Sequence, residues 1–518
     1  MTRLRLGIDV GGTNTDGVIV DDAGAVVAAM KTATTPEPLD GIRTVMAGVI
    51  EGIDRAAIGQ VMLGTTHPAN AIIQRKGLDR VGILRLAAPS SYSVRPGAAW
   101  PEDLHAMVVG PTAIVHGGFE YDGREIAPLD EAAIRAFAGE CRGQVSAIAV
   151  SCAFSPASFD HEFRAEAILR EELGDSVAIS LSHQVASLWL LEREDATALN
   201  AALLGVSRAV VDGLRGAMDQ LGLQAAVYLT QNDGTLMTVE QAVRFPILTV
   251  GSGPTNSMRG ACALAGITDA LVMDVGGTST DVGILIDGFP RESAAAIEVG
   301  GVRTNFRMPD LISIGMGGGT ITRGAGGDVA VGPDSVGYRV STEALIMGGS
   351  VLTLSDVSTR AGRLAGMGDA SLATGVDQAT VDAAIAWVDE QVQTLCDRMK
   401  ASHADVPLIA VGGGSHLVPD HVEGVSAVIK PPHFAVANAY GAAIAEASGE
   451  VDRVYRYDSS SREACLADAK QLATEAAVRA GADPEQVRIT AVAEIPMSYV
   501  PGGGCRVQVK AAGPLLQA

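Results

Sequence analysis

Short apolar runs alternate with amphipathic stretches along the whole chain. LRLGIDV, VSAIAVSCAF, AVYLT, ALVMDV and PLIAVGG read as buried strands. Residues 130–141, 160–173, 194–221 and 375–400 carry apolar side chains at helical spacing and read as helices laid on a sheet. Such alternation predicts a layered α/β protein. At 518 residues the chain exceeds what one core accommodates, so at least two lobes are expected. The polar segment 448–466 reads as a surface connection, and the Gly-rich run 315–328 as a loop between strands.

One phrase occurs twice: DVGGTNTDGVIV at 9–20 and DVGGTSTDVGIL at 274–285. An apolar strand leads into each copy, a second leads out, and DDAG or DG marks the next turn, so each Gly-Gly-Thr is a hairpin tip. Glycine admits a close backbone approach, and successive N–H groups around Gly11, Gly12, Thr13 and Asn14, and around Gly276, Gly277, Thr278 and Ser279, form a candidate anion nest. Asp9 and Asp274, at the strand ends, are candidate catalytic carboxylates and Mg²⁺ ligands. A single Gly-Gly hairpin is ordinary structure. Two copies, each opening a lobe, suggest phosphates clamped between the lobes. Retained turn geometry after duplication, without binding, is the alternative.

A third glycine cluster, Gly412, Gly413 and Gly414 in PLIAVGGGSHLVP, ends a strand that is expected to run into a helix. That junction suits an adenosine lying flat on backbone. The small-residue stretches 196–204 and 437–447 read as helices that cross closely, a candidate hinge.

A net charge of −22 argues against nucleic acid as a partner. No apolar run reaches membrane-spanning length, and the N-terminus lacks the pattern of a signal peptide. Cys141, Cys152, Cys262, Cys396, Cys465 and Cys505 form no CxxC pair and read as reduced thiols of a cytoplasmic protein. There is no GxxxxGK[ST] and no Gly-Lys pair, which excludes a P-loop. Lysines are few, so phosphate charge is expected to be met mainly by Mg²⁺, backbone dipoles and arginine.

The order phosphate turn, small-residue helix, second phosphate turn, adenosine glycines, small-residue helix resembles the actin/hexokinase/chaperone-ATPase (ASKHA) superfold. The likeness goes further. LGIDVGGTNTD, GTTHPANAIIQRKG, AFSPASFDHEFRAEAI, EREDATALNAAL, SGPTNSMRGA, DVGGTSTDVGIL, ISIGMGGGTI and VGPDSVGY, in this order over roughly 3–450, resemble the ATP-binding A-type subunit of the hydantoinase/oxoprolinase family. The resemblance implies a two-lobed actin-like α/β fold with mixed sheets, flanking helices and a nucleotide cleft between the lobes. It divides the chain into an N-terminal lobe 1–195, a second lobe 196–450 and an extension 451–518 that packs back on the lobes. It adds Gly317 and Gly318 to the nucleotide glycines, and implies ATP and Mg²⁺ as cofactors.

The function implied is ATP-dependent ring opening of a cyclic amide (a hydantoin, 5-oxoproline or a lactam), with phosphorylation of the amide oxygen. A B-type or other hydrolase subunit is the implied partner, and self-association is compatible with it. A small-molecule kinase of the same superfold, or an ATP-driven reactivating or assembly factor, shares the phosphate turns and stands as the alternative.

The chain departs from the family pattern in three places. His67 replaces a small apolar residue, and either touches substrate or caps the turn beside Pro68. The stretch RVGILRLAAPSSYSVRPGAAWPEDL replaces a Thr-Thr-x-Gly-Phe segment. The chain also stops at 518, where family A-type subunits commonly continue, so it reads as a short form. His161 and Glu162 are expected to order the lobe or the cleft edge rather than hold metal. Glu192 and Arg193 either pin the lobes or form an internal ion pair. His403, His416, His421 and His433 are dispersed and expected in turns or on the surface.

Overall fold

The computed structural model describes residues 3–12, 14–33, 38–293, 296–400, 402, 404–497 and 503–516. Thr13 and His403 lie outside them. Every apolar run named above is a strand: Leu4–Val10, Ala147–Cys152, Ala226–Thr230, Ala270–Val275 and Val406–Val411. The amphipathic stretches are helices: Glu131–Cys141, Asp160–Leu173, Leu190–Ala202 with Leu204–Leu221, and Gln378–Met399.

The two lobes rest on two mixed sheets with one plan. In the first, Leu4–Val10 pairs antiparallel with Asn14–Val20, which pairs antiparallel with Val26–Ala33. On its other side Leu4–Val10 runs parallel to Ile58–Thr65, and that strand parallel to Ala226–Thr230. In the second, Ala270–Val275 pairs antiparallel with Thr280–Ile286, and that strand with Phe289–Pro290 and Leu311–Ile314. Parallel to Ala270–Val275 lies Val406–Val411, followed by Val425–Ile429. The repeated phrase therefore sits at the same place in both sheets.

The first sheet reaches nine strands by adding Leu236–Thr238, Ala447–Arg456, Gly504–Gly513 and, at the edge, Arg488–Pro496. Strands from 226–238 and from 447–456 thus cross the boundaries drawn at 195 and 450. The segment 448–466 is mostly a strand and the start of helix Arg462–Arg479, not a surface connection. Its polar residues are paired rather than loose: Asp452, for example, takes Nε of Arg506 at 2.8 Å.

A third, all-parallel sheet is formed by Val109–His116, Val81–Ala88, Ala147–Cys152 and Ala178–Leu181. Helices Glu131–Cys141 and Asp160–Leu173 cover one face through Phe137, Ile168 and Leu169, and Leu190–Ala202 covers the other through Ala198 and Leu199. The stretch 196–204 is therefore core packing for this sheet rather than a hinge. The partner of Ala437–Ile444 is instead helix Ser252–Ala265. A Cβ on Gly260 would strike the carbonyl of Ala437, and one on Gly441 the carbonyl of Asn256. Met258 and Cys262 of one helix pack with Val272 and Ile409 of the second sheet, while Ala439 and Ala443 of the other pack with Val18 and Val20 of the first. This pair joins the two lobes.

Candidate active site

The two repeated turns face one cleft of about 510 Å³, within the usual range of a small-molecule site. Each closes with the same hydrogen bond: Gly11 N–H donates to Asn14 O at 2.9 Å, and Gly276 N–H to Ser279 O at 2.9 Å. Asp9, Gly11, Gly12, Asn14, Asp274, Gly276, Gly277, Thr278, Ser279, Gly318, Gly412, Gly413 and Gly414 all border the cleft. Of the predicted site residues, Thr13 falls outside the described residues. Gly317 stands behind the second turn, where a Cβ would press on Gly277 and Thr278. Its neighbours brace that turn: Gly318 N–H donates to Gly276 O at 3.0 Å, and Gly319 N–H to Gly277 O at 2.7 Å.

The third glycine cluster leans on the same turn, with Gly414 N–H donating to Val275 O at 2.7 Å. Gly412 has φ +83°, a backbone conformation that favours glycine. Beyond the cluster the chain makes a single 3₁₀ turn, Ser415–Leu417, and not the helix expected from the sequence. His416 also borders the cleft, and burial with the nearby Lys430 pushes its ring down to about 4, so it is neutral.

Strand register doubles each carboxylate. Asp9 lies opposite Asp16, and Asp274 opposite Asp281, and all four border the cleft. Asp9 accepts from Nδ2 of Asn256 at 3.2 Å and from Nδ2 of Asn438 at 3.4 Å, one asparagine from each helix of the crossing pair. Burial, helped by the charge of Asp16, still lifts Asp9 to about 6. Burial likewise lifts Asp281 to about 6, against a hydrogen bond from Ser313. Burial also raises Asp16, with Lys31 opposing, and Asp274, with Ser257 opposing. Four desolvated carboxylates with raised values thus border one cleft, a concentration of negative charge that a cation would relieve.

The sequence reading missed Asp16, Asp281, Lys31, Asn256 and Asn438. The two aspartates were present in the repeated phrase, and hairpin register was the signal that would have found them. Both asparagines stand in motifs quoted above, but only the helix crossing brings them to Asp9. No arginine borders the cleft among the described residues, contrary to expectation; its cation is Lys31.

The remaining candidates take structural places. His67 starts helix His67–Gln74, with Nδ1 2.7 Å from Oγ1 of Thr65. Glu162, fully buried, accepts from Ser182 Oγ at 2.5 Å, and His161 Nδ1 accepts from the N–H of Gly118 at 2.9 Å. Arg193 is buried and donates to the carbonyls of Ser187 and Leu188, at 2.8 and 2.6 Å. Glu192 pairs with Arg303 at 3.5 Å, and the internal ion pair of this helix is made by Glu194 with Arg85.

Two family models match the chain: the hydantoinase/oxoprolinase N-terminal region over residues 5–173, and hydantoinase/oxoprolinase over residues 193–367. The chain belongs to the hydantoinase/oxoprolinase family. Among curated relatives, the caprolactamase subunit alpha of Pseudomonas jessenii is 29% identical over 390 residues, covering 70% of this chain and 55% of that protein. The acetophenone carboxylase gamma subunit of Aromatoleum aromaticum is 27% identical over 388 residues, covering 67% and 52%. The chain thus spans about half the length of the curated relatives it matches.

The fold is shared with the ATP-dependent caprolactamase of Pseudomonas jessenii (TM-score 0.76, 21% identity, 99% of this chain and 88% of that one). It is shared also with nucleotide-free acetone carboxylase (TM-score 0.68, 19% identity, 99% and 88%).

Proposed function

We propose that this chain binds Mg-ATP between its lobes and phosphorylates the oxygen of a cyclic amide, as the activating subunit of an ATP-dependent ring-opening hydrolase. The observation that carries this reading is the pair of Asp-Val-Gly-Gly turns facing one cleft across the two lobes. Twin hairpins suit the two sides of one triphosphate. The cyclic amide is supported by the likeness to a caprolactamase subunit.

In this reading the N–H groups of Gly12 and Gly277, at the tips of turns closed by Gly11 and Gly276, bind phosphate oxygens, and Gly412, Gly413 and Gly414 support the adenosine. Asp9 and Asp274 hold Mg²⁺, directly or through water. The residues fit that ion: they are hard oxygen donors whose raised values show unmet negative charge. Mg²⁺ ordinarily keeps several of its waters, so one or two carboxylates and the phosphates suffice to hold it. Bound Mg²⁺ would offset charge on the transferred phosphoryl group.

The amide oxygen already carries the attacking lone pair. It forms a bond to the γ-phosphorus while the bond from that phosphorus to the β,γ-bridging oxygen breaks, its electron pair leaving with ADP. No strong base is needed, unlike transfer to a sugar hydroxyl. The chain's task is to orient both reactants and exclude water.

Adding water to the activated carbon calls for a positioned base or metal, and the cleft carboxylates are occupied with the nucleotide. Ring opening is therefore assigned to a partner subunit of B type. The relatives are themselves named as alpha, gamma and beta subunits. A cytoplasmic setting belongs to the same reading, supported by six cysteines that are all free and buried. Among the described residues no helix is long and apolar enough to cross a membrane.

The test is phosphate release from Mg-ATP against a panel of hydantoins, 5-oxoproline and lactams. The chain alone is expected to turn over ATP slowly, to respond to at least one cyclic amide, and to yield no ring-opened acid. Asp274→Asn should remove most of that turnover, by about tenfold or more, while far-UV circular dichroism stays unchanged. Turnover indifferent to every amide favours the assembly-factor alternative, and full-rate ring opening by the chain alone would sink the two-subunit assignment.

A further inference from the structure

The two lobes build the same row of side chains and then differ at its third place. Residues directly opposite one another on neighbouring strands carry their side chains on the same face. In the first sheet the row is Asp9, Asp16, Lys31. In the second it is Asp274, Asp281, Ser313. Where the second lobe ends its row with a hydroxyl, the first ends it with an ammonium. Lys31 is the one lysine or arginine among the described residues bordering the cleft.

On the ATP reading, the nucleoside end of the cleft belongs to the second lobe. Gly412, Gly413 and Gly414 follow strand Val406–Val411 of that sheet and rest on Val275 of the second turn. A triphosphate that starts there and crosses the cleft brings its last phosphate to the first lobe, where the row carries the positive charge. Lys31 is already held for such a role. Its Nζ lies 2.6 and 2.8 Å from the two oxygens of Asp16, and its side chain remains 30% exposed while that of Asp16 is 8% exposed. An ammonium has three N–H donors, and Asp16 offers two oxygens. One donor stays available to a phosphate oxygen without taking the counter-charge from the buried Asp16, which would be costly.

We propose that Lys31 is the γ-phosphate contact of this cleft, positioned by Asp16, and that it makes the site distinguish a nucleoside triphosphate from a diphosphate. The proposal rests on the ATP reading above. Charge-assisted hydrogen bonds to phosphate are among the strong ones. In a cleft that places four aspartates around the nucleotide, Lys31 offsets the charge that ATP has and ADP lacks. Transfer then proceeds with the ammonium on an oxygen of the γ-phosphoryl group as its bond to the bridging oxygen breaks. Ser313, at the matching place in the other lobe, hydrogen-bonds Asp281 and carries no charge to either phosphate.

The experiment is calorimetric titration of the full chain with Mg-ADP and with a Mg-bound non-hydrolysable ATP analogue. The wild type, Lys31→Met, Lys31→Arg and the double variant Lys31→Met/Asp16→Asn are compared. The double variant removes both partners of the pair, so it leaves no unpaired charge on the buried Asp16 side if Lys31→Met alone fails to fold. Lys31→Met should bind the analogue about tenfold or more weakly than the wild type and bind ADP within about twofold of it, and the double variant should show the same loss of preference for the analogue over ADP. Lys31→Arg should recover most of the analogue affinity. Equal losses for ADP and analogue, or no loss for either, would overturn the proposal while leaving the ATP reading in place. A wild-type chain that binds neither nucleotide would overturn both.

Discussion

Asp195 shows how this fold holds buried charge away from the cleft. It accepts from Nε1 of Trp100 at 2.7 Å, beside the buried Arg85–Glu194 pair. Burial raises its carboxyl to about 7; the Trp100 hydrogen bond and the Arg85 charge oppose this, while Glu194 and Glu192 add to it. A carboxyl whose folded value stands above its unfolded one favours the fold while protonated. That contribution is full below about 4, where the unfolded chain is protonated too, and is lost as pH rises toward 7. Asp195→Asn keeps an acceptor for Trp100 and removes the ionisation. It should leave stability nearly unchanged at about pH 4 and raise it by about 1–3 kcal/mol at about pH 8, as read by urea unfolding at the two pH values. A variant less stable than the wild type at the higher pH would contradict this account of Asp195. At this scale the sequence was informative where one turn carries several contacts. Asp9 and Asp274 stand out because a repeated string ends two strands. Lys31 does not, because its place depends on which residue faces which across a hairpin, and a single lysine has no periodic signature.

Helix Ser252–Ala265 and helix Ala437–Ile444 are the elements whose contact matters most, since each serves a different sheet and each sends an asparagine to Asp9. Gly260 and Gly441 let the two backbones meet. Gly441→Ala places a methyl against the carbonyl of Asn256 and should cost about 1–3 kcal/mol as overpacking. Because Asn256 and Asn438 shift with the helices, nucleotide affinity should fall in the same variant. Both are measurable, by denaturant unfolding and by titration with Mg-ADP, and unchanged values for both would show that the crossing tolerates separation. Small-residue composition announced the second helix but named the wrong partner: 196–204 has the same composition and packs a different sheet. Close crossing is a property of two surfaces, and one helix does not encode which surface it meets. The C-terminal helix Arg462–Arg479 escaped notice for a related reason. Its buried stripe is Cys465, Ala469, Ala473 and Ala477, too weakly apolar to stand out from a polar stretch.

In the whole molecule, gene-scale repetition is visible in the strand plan. Both sheets place a meander beside parallel strands, and both put an Asp-Val-Gly-Gly turn at the cleft. That much was legible, because strands are short apolar runs and turns are glycines. The growth of the first sheet to nine strands was not, since strands from 226–238 and 447–513 join it across long stretches of chain. The arrangement makes the cleft a joint property of both lobes, so a ligand spanning both turns links them through one binding event. The central claim is that the two turns hold the two sides of one triphosphate. The direct measurement is a crystal structure of the full chain with Mg²⁺ and a non-hydrolysable ATP analogue. The account predicts phosphate oxygens within hydrogen-bond distance of backbone N–H groups in both turns, Gly11–Asn14 and Gly276–Ser279, with the adenosine over Gly412–Gly414. A nucleotide bound with its phosphates on one turn alone, or outside this cleft, would contradict it.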